Sequence, residues 1–198
     1  MTAPGVVSRV PLRNATRSDA ADLALLVDIA SHGFASWLWH GAVAIGLADT
    51  PLEHGRSKLA EDGGTGAWQD ATVAELQGAI AGAAIGYLLT DAVRDLEAGH
   101  AVLEPIMSLQ KHAVGSWFVS TLAVYRQQRG KGAGRYLLLD QMRQADGGPV
   151  SLITESHNEM AQTFYRRHGF SERARLDAVP LFEKARRHAW VLMVNDGR

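Results

Sequence analysis

The chain has 198 residues, 46% of them hydrophobic, with 20 Lys and Arg against 21 Asp and Glu and a formal net charge of -1. That length and apolar fraction fit one globular domain over residues 1–198, and the charge balance excludes recruitment of nucleic acid or an anionic membrane by a global field. The absence of cysteine excludes disulfides, zinc–thiolate sites and a cysteine acyl-enzyme.

Met1 to Ser8 reads as frayed, and Met1 to Pro11 lacks the charged-then-apolar pattern of a signal peptide. The longest apolar stretch, Ala79 to Leu89, is too short to span a bilayer, so a soluble cytoplasmic protein is expected. Val10 to Ala15 predicts a first strand, ended by the cap-like Thr16-Arg17-Ser18-Asp19. Ala20, Leu23, Leu26, Val27 and Ala30 then share one helical face, with Gly33 as its stop. Phe34 to Ala48 follows, its Phe34, Trp37 and Trp39 read as core aromatics, and Pro51 to Ala60 predicts another short helix with proline in its first turn. Glu61 to Gly66 is a loop. Ala71 to Leu76, the Gln77-Gly78 turn and Ala79 to Leu89 predict a hairpin whose second strand is bent or weakened at Gly82 and Gly86. Asp91 to Gly115 is too long for a bare loop and predicts a helix around Val102 to His112, with Pro105 arguing for a start near Glu104.

The richest stretch runs from Thr121 to Arg135, where an apolar strand pattern feeds a glycine-rich basic turn that opens a helix. Unpaired backbone N–H groups and the positive end of the helix dipole converge there, which makes a phosphate site. The helix places Gly134, Leu138, Met142 and Ala145 on one face and Arg135, Gln141 and Arg143 off it. Val150 to Thr154 predicts the next strand, parallel to the first by a right-handed crossover. The dinucleotide fingerprint G-x-G-x-x-G fails because position 135 is Arg135, and a P-loop fails because Lys131 is followed by Gly132. The pattern [QR]-x-x-G-x-[GA] matches twice, from Gln127 to Gly132 and from Arg129 to Gly134.

Downstream, Asn158 is placed to cap a helix whose Ala161, Phe164, Tyr165 and His168 form an apolar stripe, with Gly169 at its left-handed end and Phe170 against Tyr165. On these residues alone, a packing role and a functional hydroxyl both stand for Tyr165. The segment also fills every lettered position of N-x-x-A-x-x-x-Y-x-x-x-G-F. Together the glycine-rich turn and this segment resemble the two motifs of the GNAT superfamily of N-acetyltransferases. Ala174 to Val194 predicts the last two strands, Ala189 to Val194 being the clearer.

The resemblance implies a mixed α/β (α+β) GNAT-like fold: a mostly antiparallel sheet with one parallel strand-helix-strand unit and helices on both faces. It implies acetyl-CoA as cosubstrate, no metal, and an amine acceptor that is a small molecule, an amino acid or a peptide. Arg129, Gly130, Lys131, Gly132, Ala133, Gly134 and Arg135 would hold the pyrophosphate. Leu122, Ala123 and Val124 would offer backbone groups to the pantetheine arm, with the Leu122 N–H on the thioester oxygen and the strands parted to admit the arm. Asn158 would contact CoA, and Tyr165 would serve the departing thiolate. Many family members carry a glutamate on the CoA strand, but Ser116 to Val124 has no carboxylate. Glu155 and His157 are the nearest titratable groups and the two candidate bases.

Arg166-Arg167-His168 and Lys184-Ala185-Arg186-Arg187-His188 read as solvated basic faces, with reach to an acidic substrate or the ribose phosphate as the alternative. The eight histidines show no metal-ligand spacing. A non-catalytic acyl-CoA-binding module is the main functional alternative, and the oligomeric state, homodimer included, is left open.

Overall fold

The computed structural model describes residues 10–197; the frayed segment expected at Met1 to Ser8 lies outside them. Among the described residues, seven strands form one sheet in the order β1-β2-β3-β4-β5-β7-β6. The strands are β1 (Leu12–Asn14), β2 (Ala71–Leu76), β3 (Ala79–Leu88), β4 (Trp117–Val124), β5 (Val150–Glu155), β6 (Ser171–Asp177) and β7 (Ala189–Asn195). The helices are α1 (Ala20–Ala30), α2 (Phe34–Ala44), α3 (Pro51–Leu59), α4 (Glu104–Lys111), α5 (Ala133–Gln144) and α6 (Glu159–Arg166). The chain divides into two compact units, Met1–Ile85 with Thr121–Asp140, and Gly86–Ser120 with Gln141–Arg198.

In the first unit, β1, β2 and β3 are antiparallel neighbours. The predicted hairpin forms, with Gln77 and Gly78 both at positive φ (55° and 76°), the two-residue turn whose twist matches its strands. Successive strand residues face opposite sides, and the pattern sorts them cleanly. Ala71, Val73, Ala83, Ile85 and Ala123 join Leu23, Leu26 and Leu59 of α1 and α3 in one buried cluster. Ala74, Ala84, Leu122 and Val124 join Ala133 and Leu137 of α5 in another. The register slips where Ala74 pairs with Gly82 and Glu75 with Ile80, a bulge at Ala81. Gly82 has no room for a side chain, since a Cβ there would run into the Ala123 carbonyl oxygen.

The entry to α1 is held by charge. Asp19 accepts from both Arg13 guanidinium nitrogens (2.7 and 3.1 Å) and from the Thr16 N–H (2.7 Å), while Arg13 Nε donates to Glu75 at 2.7 Å. The expected first strand is therefore short, because Thr16 and Asp19 turn the chain into α1. Thr50 caps α3 by accepting from the Glu53 N–H, and Trp39 lies over Gly55, where any side chain would displace its ring.

In the second unit, β5 pairs antiparallel with β7, and β7 with β6. The helix expected near Glu104 forms as α4. Its Leu109 is buried in a cluster with Phe118, Trp190, Leu192 and Val194. The single parallel pairing joins Trp117 to Val150, Phe118 to Ser151 and Val119 to Leu152. Buried Ser116 and Ser151 meet hydroxyl to hydroxyl at 2.6 Å beside it.

One sequence expectation for α5 is corrected here. Gln141, placed off the apolar face, is fully buried. The Trp117 Nε1–H donates to its Oε1 at 2.9 Å. A Cβ at Gly86 would collide with both groups, so the bare backbone of Gly86 makes the space in which this polar pair is enclosed.

Candidate active site

The glycine-rich turn belongs to the first unit and is built by local geometry. A single 3-10 turn, Arg126–Gln128, leaves β4, and Arg129 is extended. Gly130 and Gly132 then sit at φ of 79° and 90°, a region that disfavours any side chain. Gly132 is the residue whose carbonyl takes the first helical bond of α5, from the Tyr136 N–H at 3.1 Å. Among the described residues, the N–H groups from Gly130 to Arg135 have no hydrogen-bond partner. Six adjacent donors at the positive end of a twelve-residue helix are a set of groups suited to an anion. A Cβ on Gly130 would meet nothing within 4 Å, and one on Gly132 only the Tyr136 ring at 3.7 Å, so the approach to the backbone is open.

The side chains of the turn are partly committed to the turn itself. Arg129 Nε donates to the Val124 carbonyl (3.0 Å) and Lys131 Nζ to Gln128 Oε1 (2.8 Å). Along β4, the Tyr125 N–H bonds the Ala81 carbonyl at 2.9 Å, and the Ala123 carbonyl faces Gly82. Strand residues alternate in the side to which their N–H and C=O point. Leu122 and Val124 are thus the two of the three expected residues whose backbone groups face away from β3. Beside them, the Tyr125 hydroxyl donates to Asp22 on α1 at 2.6 Å.

The remaining candidates belong to the second unit. Asn158 caps α6, its Oδ1 accepting from the Ala161 N–H at 3.2 Å. Tyr165 follows two turns later, 8% exposed, with its ring centroid 5.4 Å from Phe164 and 5.8 Å from Phe170. The helix ends as expected, with Gly169 at φ 84° and the Phe170 N–H returning to the Tyr165 carbonyl. Burial pushes the Tyr165 hydroxyl up to about 12. Among the described residues, that hydroxyl has no hydrogen-bond partner, so it is a neutral donor across the physiological range.

Glu155 ends β5, and His157 lies two residues on. Their side chains meet, Nε2 to Oε2, at 3.2 Å. The contact leaves His157 Nδ1 pointing away from the carboxylate-facing nitrogen as the ring's second donor or acceptor. The structure also shows three partners that sequence spacing missed. Gln162, 4% exposed, donates from Nε2 to the carbonyls of Glu155 (3.1 Å) and Ser156 (2.9 Å) and accepts from Arg166. Ser156 Oγ accepts from the Ala189 N–H. His188 packs edge-on to His157 with centroids 5.3 Å apart. Gln162 lies one position off the apolar stripe and four before Arg166, a weak local sign; nothing in the spacing joins His157 to His188.

The profile of the acetyltransferase (GNAT) family matches residues 37–170. No curated protein matches the chain. Among solved structures, an N-acetyltransferase from Staphylococcus aureus Mu50 is similar at 19% identity and TM-score 0.63, over 93% of this chain and 99% of that one. A ribosomal-protein-alanine N-acetyltransferase from Brucella melitensis is similar at 22% and 0.60, over 94% and 99%. A Salmonella typhimurium protein solved with its cofactor acetyl-CoA is similar at 16% and 0.57, over 96% and 94%. At these identities the structural likeness is one of fold, and the profile, spanning both motifs, carries the family: the chain belongs to the GNAT acetyltransferases.

Proposed function

We propose that this acetyltransferase acts as a single domain that moves the acetyl group of acetyl-CoA to a primary amine, on a small molecule, an amino acid or a peptide, by direct attack in a ternary complex. The observation that carries the reading is the row of unpartnered N–H groups from Gly130 to Arg135 at the start of α5, which supports pyrophosphate binding in the first unit. The Leu122 N–H is assigned to the thioester oxygen, whose negative charge grows as the amine attacks. Val124 is assigned to the pantetheine arm, and Asn158 is assigned a contact to CoA.

Both proton transfers are assigned to the second unit. His157 Nδ1 takes a proton from the acceptor's ammonium, directly or through a water, so that the neutral amine attacks the thioester, while Glu155 holds the ring by its other nitrogen and steadies the imidazolium. Tyr165 donates its O–H to the sulfur as the carbon–sulfur bond breaks and regains a proton from the second N–H that the nitrogen gives up as the amide forms. The products are the amide and the CoA thiol, with His157 returning its proton to solvent. The Tyr165 hydroxyl, without a protein partner among the described residues, is left free to donate to a bound ligand, which favours catalysis over mere CoA binding.

The test has two parts. Acetyl-CoA at about a hundredfold over its dissociation constant should stabilise the fold by about 2.7 kcal/mol, and CoA release should be seen with at least one member of an amine panel. No thermal shift at saturating acetyl-CoA would refute the reading.

A further inference from the structure

The basic run at the end of the β6–β7 connection is not used by the chemistry above. Lys184, Arg186 and Arg187 stand there against one carboxylate, Glu183, and all four residues are exposed. Among the described residues none of these four side chains has a hydrogen-bond or ion-pair partner. Elsewhere in the same unit Arg173 pairs with Asp196 and Arg175 with Glu172, while Arg167 is likewise without a side-chain partner among the described residues. A solvated face needs no anchoring, but this one is anchored. The Ala178 N–H donates to the His188 carbonyl and the Ala189 N–H to Ser156 Oγ, both at 3.0 Å.

The anchor lies against the proposed base. His188, next in the chain after Arg187, sets its ring at 87° to that of His157 and also packs edge-on to Trp190 at 5.0 Å. Consecutive Cα atoms are about 3.8 Å apart, so two free guanidinium groups are rooted within two residues of the ring that touches His157. The Glu155 carboxylate, 3.2 Å from His157 Nε2, favours the ammonium end of an acceptor. Free arginines favour an anionic end and match carboxylate or phosphate through two parallel N–H bonds.

We infer that Arg186 and Arg187 bind an anionic group on the acceptor, so that the substrate class is an amine that also carries a carboxylate or a phosphate. The inference rests on the assignment of His157 and Glu155 as the base. Two matched acceptor pairs test it by CoA release: alanine against alaninamide, and phosphoethanolamine against ethanolamine. Wild type should favour the anionic member of at least one pair by about three- to tenfold in kcat/KM, through KM, since exposed ion pairs are individually weak. The preference should shrink with added salt, and the pair that shows it tells carboxylate from phosphate. Arg186→Gln/Arg187→Gln should erase the preference and leave the rate on the neutral member unchanged, while Arg186→Lys/Arg187→Lys should keep part of it. Equal or better use of the neutral member in both pairs, or a glutamine variant that keeps the preference, overturns the inference. Acetyl-CoA stabilisation measured alongside separates the two levels. Wild type that binds acetyl-CoA without preferring anions overturns this inference alone, and wild type that fails to bind overturns the transferase reading with it.

Discussion

Replacing Tyr165 with phenylalanine removes one oxygen from a ring held by Phe164 and Phe170, so it separates chemistry from packing. Burial moves the hydroxyl from an ordinary 10.0 to about 12, and two pKa units correspond to about 2.7 kcal/mol between the neutral and ionised forms. The folded state favours the neutral form. Its stability is therefore complete below the unfolded value near 10 and is lost as pH rises toward the folded value near 12. At pH ~11 the wild type should have lost about 1.4 kcal/mol through this group, a loss the phenylalanine variant cannot show. Urea unfolding at pH ~8 and pH ~11 on both proteins reads that difference directly. The same shift bears on catalysis. A donor near 12 facing a thiol of about 8.5 makes complete proton transfer uphill by about 5 kcal/mol, so in the proposed role the hydroxyl would act mainly as a hydrogen bond to the developing thiolate. The kcat loss should then lie near the lower end of the general-acid range, about 10²-fold, with acetyl-CoA affinity kept. A variant with kcat within about threefold of wild type would refute the catalytic assignment, and parallel alkaline stability curves would refute the burial argument.

Gly132→Val forces a β-branched residue to φ 90°, which should cost about 1–3 kcal/mol in the free protein and abolish most acetyl-CoA stabilisation, both visible in melting curves with and without ligand. His157→Ala should slow turnover by about 10²-fold near pH 7 and recover part of it above pH ~9, where more amine is already neutral; Glu155→Gln, whose amide oxygen still accepts from Nε2–H, should lose less, and flat pH–rate profiles for both would remove the pair from the base role. Asp19 is held at about 2, against an ordinary 3.8, chiefly by its hydrogen bonds to Arg13. Its stabilisation of about 2 kcal/mol should be complete above pH ~4 and lost as pH falls toward 2, and Asp19→Asn should lower the melting temperature by about 5 °C at neutral pH.

What could be read from the sequence was whatever depends on neighbours within a turn or two. The glycines of the phosphate turn, the Asn158 cap, the Gly169 terminus and the 71–88 hairpin are local statements of backbone conformation, and each formed where its spacing put it. The helix over 104–111 was legible for the same reason, from Pro105 at its start and the length of the segment. The failures are long-range. Gln141 reads as polar surface until Trp117 and the bare Gly86 enclose it. The placement of β7 between β5 and β6 is a choice of hydrogen-bonding partner that periodicity does not encode. His157 and His188 are 31 residues apart in number, and their contact follows only from the antiparallel pairing of β5 with β7. Glu155 and His157 thus remained two separate candidates in the sequence, whereas the structure brings their side chains within 3.2 Å of each other.

The inward bond of Arg129 to the Val124 carbonyl and of Lys131 to Gln128 has a consequence for how this loop meets its ligand. Side chains tied back in this way should lose less freedom when a ligand arrives than side chains that point into solvent. A diphosphate settling onto it would displace water from fixed dipoles instead of gathering mobile cations from solution. Association of CoA should accordingly carry a small entropic penalty and respond only weakly to ionic strength.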